Sequence, residues 1–147
     1  MTFNVDTRLT DNALVIYESP DLLLTLVNDS RWPWLVVIPK AENATELYQL
    51  SRELRQRVNE FSAVLGREWM TLTDGHKLNV ACIGNVVSQL HMHHVVRYSH
   101  DVAWPAPMWG FGEAVPYRDS QRDQLVSGIT ARLIAAGVSP TGFATHC

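Results

Sequence analysis

Apolar residues enter the chain as short continuous runs and later recur at three- and four-residue steps, and this change of period separates strands from helices. "ALVIYES" (13–19) and "DLLLTLVN" (21–28) meet at the turn signal Ser19-Pro20-Asp21 and predict a strand hairpin. "WLVVIP" (34–39) follows a turn-rich connector, and its Val and Ile content predicts a third, well-covered strand. Then Leu47, Leu50, Leu54, Val58, Phe61, Leu65, Trp69 and Leu72 trace one face of a long helix. Asn43 with Glu46 predicts its capping box, and Asp74-Gly75 its end. Gly66 costs about 1 kcal/mol relative to Ala in a helix interior and marks a point where this helix can break.

After the helix, "KLNVACIG" (77–84) and "QLHMHHVVR" (89–97) predict two more strands, joined by only "NVVS" and so able to pair as a hairpin. Residues 101–120, "DVAWPAPMWGFGEAVPYRDS", have no period; their Trp and Phe content predicts an ordered loop. Ser120 with Asp123 opens a second helix carrying Leu125, Ile129 and Leu133 and ending at Gly137. The expectation is an α+β fold with a five-stranded, mostly antiparallel sheet, one long helix after the third strand and an additional C-terminal helix. Residues 1–115 would form the main domain, with 116–147 a helical extension packed on it.

Composition narrows the function more than the fold. The chain has 147 residues, and its net charge of -3 argues against a nucleic-acid backbone as the main partner. No apolar run approaches the roughly 18 residues of a membrane span, and the N-terminus lacks a signal-peptide pattern, so the expected compartment is a reduced cytoplasm. Cys82, in an apolar run, is expected to be a small buried hydrophobe. Cys147 stands at the chain end, and the pair suggests neither a disulfide framework nor a zinc ribbon. Trp69 belongs to the core. Trp32 and Trp34 suit a base pocket, the core or a dimer interface, whereas Trp104 and Trp109 follow the histidine strand closely.

Three of the six histidines lie at 91, 93 and 94. On a strand, Gln89, His91 and His93 would share a face at about 6.6 Å spacing, with Arg97 continuing the row. Leu90, Met92 and His94 would face the other way. A solvated strand surface, a metal site completed by His100 or an acidic residue, and a catalytic imidazole are the competing readings.

The run Gln89-Leu90-His91-Met92-His93-His94-Val95 resembles the histidine triad (HIT) signature, His-φ-His-φ-His-φ-φ with φ apolar, with Gln at the first triad position. "WLVVIPKAENATELYQL", "LVN" (26–28), "NVVSQLHMHH" and "AWPAPMWG" (103–110) are similar to further family segments, so the resemblance covers roughly residues 12–110. It implies a homodimer that binds a purine nucleotide or nucleotide conjugate and hydrolyses or transfers at the α-phosphate, with no cofactor or metal required. By position, His91 would be the nucleophile, His93 would contact the α-phosphate and help the leaving group, and Gln89 would orient the nucleophile. Asn85 would contact the phosphate or leaving group, Asn28 the ribose, and Trp104 would lie near the active site. His94, at an apolar position, would be a buried histidine with a local partner. The phosphoramidates and dinucleoside polyphosphates are the implied substrates; a non-catalytic nucleotide binder and a His-x-His metalloprotein are the alternatives.

Overall fold

In the computed structural model, which describes residues 2–144, the apolar runs become β1 (Ala13–Glu18), β2 (Leu22–Val27) and β3 (Trp34–Pro39). β4 (Lys77–Ala81) and β5 (Met92–Arg97) complete a five-stranded sheet of order β1-β2-β3-β5-β4. Every neighbouring pair is antiparallel, including the β4–β5 pair. β5 therefore sits between β3 and β4, with His93 opposite Val36 on one side and Ala81 on the other.

Alternation along β5 separates two environments. Met92 and Val96 join Leu24, Leu26, Leu35 and Val37 in the main core, against α1 (Arg52–Thr73). That helix contributes Val58, Leu65 and Trp69, all fully buried, each large apolar side chain stabilising the fold by about 1.5–3 kcal/mol. α2 (Asp119–Ala135) adds Val126, Ile129 and Leu133 to the same core. The opposite sheet face is covered in two parts. Phe3, Val5 and Leu9 of the N-terminal segment pack on Leu23, Val36 and Ile38, while Trp32, Val95, Ala103 and Met108 form a separate cluster.

Several boundaries differ from expectation. Leu47 and Leu50 fit the helical period, but Leu47–Gln49 is a 3-10 turn and Leu50 is extended. The cap is Ser51, whose hydroxyl accepts the Leu54 N–H at 3.2 Å. Asn43 has φ of 59° and heads no helix. Gly66 does not break α1; a Cβ there would meet Leu78 of β4 at 2.7 Å, so the glycine permits close helix–sheet packing. α2 opens at Asp119, one residue before Ser120. Cys82 is exposed rather than buried, because β4 ends at Ala81 and releases it into the following loop. Cys147 lies outside the described residues. Among those described, no helix is long and apolar enough to cross a membrane.

Candidate active site

β5 begins only at Met92, so Gln89 and His91 belong to the connection from β4 rather than to a regular strand. The Leu90 N–H anchors this connection on the Ala44 carbonyl at 2.9 Å. His91 is 6% exposed, and its Nδ1 lies 2.7 Å from the main-chain oxygen of Gln89. A carbonyl can only accept, so Nδ1 carries the proton and Nε2 keeps its lone pair. His91 borders a cavity of about 290 Å³ with Thr45, Cys82, Asn85, Ser88 and Gln89. Its walls include Glu46 but no lysine or arginine. Although Cys82 is exposed, partial desolvation by its neighbours, followed by the field of Glu46, raises its thiol pKa and favours the neutral form.

His93 lies beneath His91, their ring centroids 4.8 Å apart in a T-shaped contact. Trp34, from β3, donates its indole N–H to His93 Nδ1 at 3.0 Å, and Trp109 stands against the same ring at 5.6 Å. An indole nitrogen has no acceptor capacity, so Nδ1 is the unprotonated nitrogen and Nε2 carries the ring proton. Burial, reinforced by neighbouring His91, pushes the His93 pKa down to about 4. His93 is thus a neutral ring held at Nδ1 by Trp34. It stands against His91, and the nitrogen opposite Trp34 is the one that the expected phosphate contact would use.

His94 points the other way. Its Nε2 is 2.6 Å from the Ser62 hydroxyl of α1, and its Nδ1 is 3.1 Å from the Met92 carbonyl. The carbonyl takes Nδ1–H, leaving Nε2 to accept from Ser62. With no exposed surface and its pKa driven to about 4 by burial, His94 is an interior residue.

The remaining candidates are dispersed. Asn85 and Gln89 share the His91 cavity. The Gln89 side chain turns away from His91, however: its oxygen accepts from Asp6 N–H and its nitrogen donates to the Asn4 carbonyl, both at 2.8 Å. Asn28 does not join the cavity; its side-chain oxygen accepts the Tyr117 N–H at 2.9 Å. Trp104 packs beside His76 and the Arg97 guanidinium, at 5.2 and 5.6 Å. Arg97 itself is buried, bound to both carboxylate oxygens of Asp101 and to Asn79. Burial opposes the Asp101 charge, but Arg97 and two main-chain N–H groups outweigh it and hold the carboxyl well below its usual range. Trp34 as the partner of His93 was missed, since its contact depends on the β3–β5 register.

A family model described as HIT domain matches residues 8–100. The chain belongs to the HIT family. A histidine triad protein from Marinobacter aquaeolei VT8 is 38% identical, with a TM-score of 0.86 over 90% of this chain and 97% of that one. One from Sinorhizobium meliloti 1021 is 30% identical, also with a TM-score of 0.86, over 89% of this chain and 97% of that one. A zinc-bound HIT family protein from Mycobacterium smegmatis shares the fold at 20% identity and a TM-score of 0.62, over 88% and 94% of the respective chains. No curated protein matches the chain. Among the described residues of this HIT protein, no three His, Cys, Asp or Glu side chains are grouped to hold a metal, so His91, His93 and His100 do not form the alternative metal set.

Proposed function

We propose that this protein is a nucleotide hydrolase or nucleotidyltransferase that acts through a covalent nucleotidyl-His91. The observation that carries this reading is the state of His91: one nitrogen is fixed by the Gln89 carbonyl, the other has no protein partner among the described residues, and the ring borders a polar cavity. Nε2 attacks the α-phosphorus, forming an N–P bond as the bond from phosphorus to the leaving group breaks. The positive charge that develops on the ring is stabilised through Nδ1–H by the same carbonyl. The leaving group departs with a proton taken from solvent. Water then attacks phosphorus, the N–P bond breaks, and the 5′-nucleotide is released with a proton going to solvent. Two displacements replace one more difficult step.

Asn85 and main-chain N–H groups of the loop before His91 would bind the phosphate oxygens. A second cavity of about 250 Å³, with Val27, Trp34, Met108 and Phe111 in its walls, suits a purine base. Trp34 borders this cavity and also bonds His93, linking base and phosphate ends. The carboxylate of Glu46 and the lack of lysine or arginine in the His91 cavity disfavour a polyanionic leaving group. We therefore favour a nucleoside phosphoramidate over a dinucleoside polyphosphate. The open edge of β4, where Val80 is 48% exposed, is where we place the homodimer contact.

Purified protein incubated separately with adenosine 5′-phosphoramidate and diadenosine tetraphosphate tests the reading. Release of AMP from the phosphoramidate, faster than cleavage of the polyphosphate and absent in His91→Ala, is expected. Tight AMP binding with cleavage of neither compound would replace the enzyme with a nucleotide-binding protein.

A further inference from the structure

Gln89 contributes to the site twice, through different atoms. Its main-chain carbonyl holds His91, which any residue at 89 could do. Its side chain bonds two main-chain groups of the N-terminal segment, the Asp6 N–H and the Asn4 carbonyl. An amide presents donor and acceptor side by side and meets both. A neutral imidazole presents them at separated ring positions and cannot make the same pair. The segment so held lies on the sheet face that carries His93, with Phe3, Val5 and Leu9 against Leu23, Val36 and Ile38.

The clasp stands between two cavities. The one beside His91 shares Thr45, Ser88 and Gln89 with another of about 370 Å³, which Thr2, Phe3 and Asn4 help to enclose. The cavity beside His91 therefore adjoins the N-terminal segment at Gln89. It is polar, in contrast to the aromatic cavity by Trp34, which suits the base.

Building on the nucleotidyl-transfer reading, we propose that Gln89 and the N-terminal segment form the leaving-group wall of the site. Gln89 is then a positioning residue that sets selectivity for the group leaving phosphorus, while the orientation of His91 depends only on its main chain.

The test uses Gln89→Leu and Gln89→His in the full chain, with two readouts. Amide exchange at Asp6 reads the clasp directly and is expected to speed up in both variants. Steady-state kinetics compare unsubstituted adenosine 5′-phosphoramidate, whose leaving group is only ammonia, with the N-alkyl amidate of a long-chain amine. Re-ordering the released N-terminal segment on binding predicts a KM increase of about tenfold for the N-alkyl compound. The ratio of the N-alkyl KM to the unsubstituted KM should therefore rise about fivefold or more, whatever loss the variants cause with the unsubstituted compound itself. Unchanged Asp6 exchange would overturn the clasp. Equal KM effects on the two substrates, or a fall in kcat with KM unchanged, would overturn the selectivity role. A wild-type protein that cleaves neither amidate would reject the transfer reading together with the leaving-group role, while Asp6 exchange would still decide the clasp.

Discussion

His93 and His94 are chain neighbours on one strand, yet they belong to opposite faces of the sheet and to different chemistry. Burial lowers both to a pKa of about 4, so both are neutral at neutral pH. On the helix face, His94 is closed off by Ser62 and the Met92 carbonyl. On the other face, His93 is held by Trp34 and stands against His91, which has only one nitrogen engaged. Burial and a shifted pKa do not distinguish the two faces. The difference lies in the surroundings: His94 is bonded at both nitrogens, whereas His93 stands against His91. The Nε2 of His91 has no protein partner among the described residues, and its ring borders a polar cavity.

Removing that nitrogen is the most severe way to break the contrast. His91→Ala should lower turnover about a thousandfold or more, the scale of losing a covalent nucleophile, with the circular dichroism spectrum unchanged. A smaller loss would mean that His91 is not the nucleophile.

The next effect treats both faces alike. Unfolded histidine titrates near pH 6.5, whereas folded His93 and His94 titrate near 4. Between these values the unfolded chain binds more protons, so stability falls as pH drops through that window and is greatest above it. The loss is up to about 3 kcal/mol per ring, measurable by urea unfolding at pH 7 and pH 4.5. His94→Gln should flatten this dependence by roughly half.

The two faces part again under milder substitutions. Ser62→Ala leaves the buried His94 Nε2 without its donor and should cost about 1–3 kcal/mol of stability, while kcat stays unchanged. Trp34→Phe keeps a ring but removes the donor to His93, a loss of about 1 kcal/mol. It should lower kcat about fivefold and let His93 Nδ1 gain the proton, visible in ¹⁵N chemical shifts. If Ser62→Ala proved the more damaging to kcat, the assignment of faces would be reversed.

Much of this contrast can be read from position parity. The separation of His91 and His93 from His94, the five strands and the long helix all follow from periods of two and of three to four residues. The periodic signal misleads where a turn imitates it: Leu47 and Leu50 keep helical spacing within a 3-10 turn and an extended residue. Cys82 looks buried because its run is apolar, but β4 stops one residue earlier. The site's supports are harder to see because they come from distant chain. Trp34 reaches His93 across 59 positions, and Asp6 reaches Gln89 across 83. Asn28 likewise meets Tyr117 across 89 positions, its side-chain oxygen accepting that residue's N–H.

The central claim is that Nε2 of His91 forms a bond to phosphorus. Rapid acid-free quenching during turnover of adenosine 5′-phosphoramidate, followed by intact mass measurement and peptide mapping, tests it most directly. A species heavier by one adenylyl group is expected, with the group on His91 and no such species in His91→Ala. Turnover with the group on another residue, or with no adduct at any quench time, would contradict it.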